Sequence, residues 1–86
     1  MKNKLFSIYD KVKEEYGPLN SHKTIGDAIR AVQIVTQQKD NILGSRPKDF
    51  SLWELGEFDD ENGVSGLKPK LVVEVSELML DKPDDV

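Results

Sequence analysis

The stretch that decides the fold is LWELGEFDDENG, residues 52–63. Its first part, extended back to FSLWELGEF (residues 50–58), is rich in strand-forming residues and predicts a β-strand. The acidic run after it ends in Asn62-Gly63, a pair that readily supplies the positive φ angles of a tight turn. KLVVEV, residues 70–75, then predicts a returning strand with Leu71, Val73 and Val75 inward. We therefore predict a hairpin, followed by a short helix or a strand extension in SELML.

Gly56 interrupts the alternation of the first hairpin strand. Strict alternation places Trp53 and Leu55 on one face and Leu52 and Phe58 on the other. A β-bulge at Gly56 would shift the phase by one residue and bring Trp53, Leu55 and Phe58 to the same side. We therefore expect Trp53 and Leu55 to be core residues.

The first half of the chain predicts one strand and one helix. KLFSIYDKV alternates, so we expect a strand over roughly residues 3–11 with Phe6 and Ile8 on its buried face. EEYGPLNSHK predicts a loop, and Thr24 is placed to cap a helix that runs to about Lys39. The apolar stripe of that helix consists of Ile25, Ala28, Ile29, Val32 and Val35. NILGSRPKD predicts a second loop.

This order predicts an α+β domain with a three-stranded, mainly antiparallel sheet and one helix packed on one face (β-α-β-β). We expect a single domain over residues 1–80 and an acidic tail over residues 81–86. The predicted core contains Phe6, Ile8, Ile29, Val32, Trp53, Leu55 and Val73. The predicted uncovered face contains Leu5, Tyr9, Leu52 and Val72. Exposed apolar groups in that number indicate a partner, and we favour self-association as a homodimer over a small ligand.

Charge and composition exclude several classes of protein. The chain of 86 residues has no cysteine, so disulfide frameworks and thiolate metal sites are excluded. Its net charge of −4 is uneven, because residues 1–50 carry nine Lys or Arg and six acids (+3) and residues 51–86 carry three and ten (−7). Any contact with nucleic acid must therefore use a local basic face. No apolar run approaches the ~20 residues of a membrane span, and we expect a cytosolic protein without membrane contact.

The acidic run and the one histidine do not predict a catalytic or metal site. An EF-hand loop needs a helix on each side and glycine at its sixth position, whereas Gly63 comes one position early and the flanks predict strands. His22 has no second nitrogen or sulfur ligand near it in the sequence. We therefore predict a turn at residues 59–63, no enzymatic activity, no metal and no cofactor.

Three segments together carry a family resemblance: YDKVKEEYGPL (residues 9–19), GDAIRA (residues 26–31) and LWELGEFDDENG. In this combination the chain resembles, over about residues 6–75, the small nonstructural protein of gokushoviruses, tail-less phages with single-stranded DNA genomes. The resemblance implies a non-capsid protein of the bacterial host cytoplasm that binds DNA and acts in genome synthesis or packaging. It implies no catalytic residues.

Two hypotheses about function follow. In the first, the protein binds single-stranded DNA, with phosphates on its basic residues and a base stacked on Tyr9 or Tyr16. The candidate phosphate contacts are Lys2, Lys4, Lys11, Lys13 and Arg30. In the second, the protein is an interaction module that docks on a phage or host replication or packaging protein through the uncovered sheet face or the acidic C-terminal half. The residues alone favour the interaction module, and the resemblance favours DNA.

Overall fold

The computed structural model describes residues 2–66 and 68–79, and its framework is one antiparallel sheet with a single long helix on one face. The strands are β1 (Lys2–Asp10), β2 (Glu15–Tyr16), β3 (Asn20–His22), β4 (Phe50–Asp59), β5 (Gly63–Ser65) and β6 (Lys70–Glu74). The helices are α1 (Ile25–Thr36) and α2 (Ile42–Ser45). Two short 3-10 helices complete the described elements: Pro47–Asp49 directly precedes β4, and Val75–Leu78 directly follows β6.

The centre of the sheet is the long antiparallel pair of β1 and β4. Their register runs from Lys2 opposite Asp59 to Asp10 opposite Phe50. The short strands β2 and β3 both pair with the free edge of β1, and β5 and β6 both pair with the free edge of β4. The sheet therefore has two long central strands, β1 and β4. One of its edges consists of the short strands β2 and β3, and the other consists of β5 and β6.

The predicted three-stranded β-α-β-β sheet is wrong. The segment predicted as a loop, residues 14–23, contains β2 and β3, which are two and three residues long. Strands this short show no alternating pattern, and the Gly17-Pro18 turn between them conceals their pairing with β1. The predicted tail, residues 81–86, lies outside the described residues.

Helix α1 begins where the sequence predicts and ends earlier. The Oγ1 atom of Thr24 accepts a 3.0 Å hydrogen bond from the backbone N–H of Asp27, which caps the helix. Its buried residues are Ala28, Val32 and Thr36, spaced by one helical turn. The helix stops at Thr36 rather than near Lys39, because the chain turns back at this point into α2.

The hydrophobic core lies between α1 and the face of the sheet that carries Phe6. Its buried residues are Phe6, Ala28, Val32, Phe50, Leu52, Val75 and Leu78. Partly buried residues packed against it are Ile8, Ile29, Leu43, Val72 and Val73. The predicted core positions of Phe6, Ile8, Ile29, Val32 and Val73 are thus confirmed.

The bulge predicted at Gly56 is present and brings Phe58 to the same face as Trp53, as predicted, but that face is not the core face. Leu5 pairs with Gly56 and Phe6 pairs with Glu54, so Leu55 is the extra residue. Because the irregularity lies beyond Trp53, that residue keeps the phase set by strict alternation. Trp53 lies opposite Ser7, on the face away from α1.

Leu52 and Val72 were predicted on the uncovered face, and both predictions are wrong. Leu52 lies opposite Ile8, on the helix side, and only 2% of its surface is exposed. A second irregularity explains Val72, because Leu52 pairs with Val73 and Trp53 pairs with Leu71, which leaves Val72 as an extra residue. The same shift turns Leu71, which was predicted inward, away from the core.

Candidate nucleic-acid interface

The face of the sheet opposite α1, which we call the open face, carries three aromatic rings, one of which contacts the other two. Cross-strand partners share a face, so Tyr9 of β1 and Tyr16 of β2 lie side by side. Their ring centroids are 4.9 Å apart with an interplanar angle of 63°. The ring of Trp53 on β4 meets Tyr16 edge-on, at 6.3 Å and 90°. These three residues form the aromatic cluster.

Two buried serines hold the aromatic cluster in place. The indole Nε1 of Trp53 donates a 2.9 Å hydrogen bond to Oγ of Ser51, and Ser51 is directly opposite Tyr9. Ser7, directly opposite Trp53, donates from its Oγ to the backbone oxygen of Gly17 at 2.8 Å. Both serines are almost fully buried, which shows that the rings and the β2 segment cover this part of the open face. The cluster is therefore a built feature of three adjacent strands.

The open face continues toward the hairpin as a partly exposed apolar surface. Phe58 lies opposite Asn3 and Val64, and Leu71 lies opposite Trp53. The side chains of Phe58, Val64 and Leu71 are 40%, 50% and 49% exposed. Next to Phe58, the buried Oδ1 of Asn3 accepts no hydrogen bond from the described residues. This half of the face therefore offers apolar contact and one unsatisfied acceptor.

Two of the predicted phosphate contacts lie beside the aromatic cluster. Lys11 follows β1, and its ammonium group contacts the carboxylate of Glu74 and donates to the backbone oxygen of Lys48 at 3.2 Å. Lys13 is exposed in the turn between β1 and β2. The carboxylate of Asp10 orders that turn by accepting from the backbone N–H groups of Val12 and Lys13, at 2.9 and 3.1 Å.

The other predicted phosphate contacts lie on the opposite side of the sheet. Lys2 and Lys4 alternate with the open-face residues of β1 and so share the helix side. Lys4 forms a 3.4 Å ion pair with Glu54. Arg30 is exposed on α1. The predicted set is thus divided, with Tyr9, Tyr16, Lys11 and Lys13 around the aromatic cluster and the remaining three on the helix side.

Trp53 is the residue of the aromatic cluster that the sequence prediction missed. Strict alternation along residues 50–55 already separates Trp53 from Leu52. The bulge brings Phe58 to the side of Trp53, as predicted, and the error was to assign that side to the core. A second missed feature is the position of His22, which was expected in a loop and lies in β3 with its ring centroid 5.7 Å from that of Phe6.

The acidic run forms the turn of the hairpin, as predicted. Gly63 has a φ of +82°, which only glycine adopts without strain. The backbone N–H of Glu61 donates to Oδ1 of Asp59 at 2.9 Å and lowers the pKa of that carboxyl below its ordinary value of 3.8. The side-chain amide of Asn62 also donates to Asp59. The hydrogen bonds of this turn therefore favour the charged form of Asp59.

Within residues 2–66 and 68–79, no helix is both long and apolar enough to cross a membrane. Over the same residues, no three His, Asp or Glu side chains come together as metal ligands.

Comparison with known proteins gives one match. The family of the Phage ORF5 protein matches residues 3–78 of the chain, which include the aromatic cluster and all described strands except the first residue of β1. No curated protein and no solved structure matches significantly.

Proposed function

This chain belongs to the Phage ORF5 protein family, and we propose that it is a phage accessory protein that binds single-stranded DNA. The resemblance to the gokushovirus nonstructural protein supports a role in viral genome synthesis or packaging, in the cytoplasm of the bacterial host. The single observation that carries the proposal is the aromatic cluster on the open face. A sheet with a helix on one side and exposed aromatic rings on the other is the arrangement with which RNA-recognition sheets stack bases.

Stacking supplies most of the affinity in this proposal. A base stacked on an aromatic side chain contributes about 1–3 kcal/mol and does so for every base type. Tyr16 is 39% exposed, more than Tyr9 or Trp53, and is therefore the ring most accessible to a base. It contacts the rings of both Tyr9 and Trp53. Single-strand binding without strong base preference follows from this part of the surface.

Electrostatic attraction contributes little, because the protein is acidic overall and Lys11 is already bound to Glu74. Of the predicted phosphate contacts, only Lys11 and Lys13 lie on the side of the aromatic cluster. Two phosphate contacts on a single strand correspond to a slope of about −1.4 in a plot of log K against log salt concentration. We therefore expect a shallow salt dependence, in contrast to the steep slopes of strongly basic DNA-binding proteins.

The test is fluorescence anisotropy with a labelled oligo-dT at several salt concentrations. Tyr16→Ala should weaken binding by about 1–3 kcal/mol and leave the salt slope unchanged, because the residue carries no charge. Tyr16→Phe is the matched control and should bind like the wild type. Absence of any affinity at low salt, or equal affinity of wild type and Tyr16→Ala, would exclude the cluster as a DNA platform.

The apolar half of the open face favours a second candidate, a protein-interaction module. Phe58, Val64 and Leu71 are too exposed for core residues, and the unsatisfied Oδ1 of Asn3 lies beside them. A second copy of the chain or a replication or packaging protein would cover these groups. Sedimentation of wild type and Leu71→Lys without DNA tests the homodimer, since a lysine in that contact should shift the mass toward the monomer. A monomeric wild type contradicts self-association.

A further inference from the structure

A cleft between α1 and the edge of the sheet that contains β3 lies on the side opposite the aromatic cluster. Its volume is about 270 Å³. Phe6 and Leu52 of the sheet and Ala31 and Val35 of the helix form apolar walls. Asn20 and His22 of β3 supply polar side chains to the same cleft.

The register places both polar residues on the helix side of the sheet. Asn20 is opposite Phe6, and His22 is opposite Lys4. His22 is half-buried, and its ring contacts the ring of Phe6. The amide of Asn20 makes a long bond of 3.4 Å from Nδ2 to the backbone oxygen of Pro18. The cleft therefore combines an apolar interior with an imidazole and an amide that can both form hydrogen bonds with a guest.

The size and chemistry of the cleft fit one planar ring system. An apolar cavity of about 150 Å³ already accepts benzene, and sites for larger organic ligands begin at about 300 Å³. A cleft of 270 Å³ therefore has room for a nucleobase. Asparagine is the side chain that pairs two hydrogen bonds with the edge of adenine, and imidazole rings stack on bases.

Two exposed cations are next in sequence to residues that line the cleft, one on the strand side and one on the helix side. Lys23 follows His22 and is exposed, and Arg30 precedes Ala31 and is exposed. Both are therefore the candidate phosphate contacts of a strand that places a base in the cleft. This assignment gives a role to Arg30, which lies on the side of the sheet opposite the aromatic cluster.

We propose that this cleft binds one unstacked base of the same DNA strand whose other bases stack on the aromatic cluster, a proposal that rests on the function proposed above. Strands β2 and β3, which share one edge of the sheet, connect the two sites. Along β1 the cleft residue Ile8 is next to Tyr9, but the two sites lie on opposite faces, so a strand that occupies both passes around this edge. The cleft then adds base preference to a surface that is otherwise indifferent to sequence.

The test uses two reporters that the fold separates. Trp53 is the only tryptophan and reports the open face through its fluorescence, and His22 is the only histidine and reports the cleft through its imidazole NMR signals. Each of the four deoxynucleosides, and toluene as an apolar probe, is titrated with NMR detection. Oligo-dT and oligo-dT with one internal dA, dC or dG are then compared by anisotropy and by quenching of Trp53.

We expect one nucleoside to shift the His22 signals and the matching oligonucleotide to bind at least fivefold more tightly than the others. Ala31→Leu fills the cleft and should abolish both effects while the quenching of Trp53 remains. Asn20→Ala, a second variant that leaves the apolar walls intact, should reduce the preference in the same way. Ser21→Ala, an exposed neighbour of both polar residues, is the control and should behave like the wild type.

Three outcomes overturn the cleft proposal, and they differ in what they say about DNA binding. Quenching of Trp53 by all oligonucleotides without any shift of His22 removes the cleft and leaves the proposed function. Binding of toluene but of no nucleoside assigns the cleft to an apolar ligand instead. Absence of both quenching and nucleoside shifts overturns the cleft and the proposed function together.

Discussion

Trp53 donates its indole hydrogen to Ser51 across 2.9 Å, and this bond ties the largest side chain of the protein to the open face of the sheet. Its neighbour Leu52, one residue earlier, is 2% exposed in the core on the other side. The two residues thus have different roles on the two faces of β4. Leu52 stabilises the fold against α1, and Trp53 builds the surface that we propose for DNA.

This division predicts an unusual order of stability effects. Leu52→Ala should lower the free energy of unfolding by about 2–5 kcal/mol, because it leaves a cavity in a packed core. Trp53→Ala should lower it by only about 1–2 kcal/mol, since the ring is partly exposed and water can reach Ser51 after its removal. Urea denaturation of both variants measures the difference. A larger loss for Trp53→Ala than for Leu52→Ala would contradict the face assignment.

A second prediction concerns the contact between α2 and the end of α1. A Cβ atom on Gly44 would lie 2.2 Å from the backbone oxygen of Thr36, so Gly44→Ala forces the two helices apart. We expect a loss of about 1–3 kcal/mol, as for other overpacked sites. Gly26→Ala is the matched control, because its nearest contact is an ordinary 3.8 Å and alanine favours the helix. In thermal melts the control should be slightly more stable than the wild type, and an equally stable Gly44→Ala would contradict this contact.

Local signals in the sequence predicted the long elements well. The cap at Thr24, the strand at residues 50–58, the bulge near Gly56 and the turn at Gly63 each depend on neighbouring residues, and each is present. The apolar stripe of α1 likewise predicted that Val32 lies in the core.

The features that the sequence did not predict depend on pairing between distant segments. The two residues of β2 become a strand only because Tyr16 pairs with Tyr9 on β1. The exposure of Leu71 depends on an irregular register with Trp53, which no local pattern encodes. For the candidate site, Tyr9 and Tyr16 were found from their type and their basic neighbours. Their contact with Trp53 needed the three-dimensional register.

A third prediction concerns the ionisation of Asp59 at the hairpin turn. Its pKa is lowered, so its hydrogen bonds stabilise the fold fully above the ordinary value of 3.8 and are lost as the pH falls through the lower, folded-state value. An NMR titration of the carboxyl carbons should therefore show Asp59 titrating below the ordinary range of aspartate. Asn62→Ala should raise that pKa partway toward the ordinary value, because one donor is removed. A midpoint at or above 3.8 in the wild type would contradict the turn geometry.

The last prediction separates the two lysines beside the aromatic cluster, which the sequence treats as equivalent. Lys13 is exposed in the turn, so Lys13→Glu should change the free energy of unfolding by less than about 0.5 kcal/mol. Lys11→Glu places a carboxylate beside Glu74, and replacing a partly exposed ion pair by repulsion should lower stability by up to about 1 kcal/mol.

Each of these charge reversals should also weaken single-strand binding and flatten the salt slope by about 0.7, the contribution of one phosphate contact. Lys39→Glu, an exposed lysine beyond the end of α1, is the matched control because it changes the net charge equally. Thermal melts and anisotropy on the three variants give both quantities. If Lys39→Glu weakens binding as much as Lys13→Glu does, the effect comes from the net charge of the protein, and the two lysines are not the phosphate contacts of the aromatic cluster.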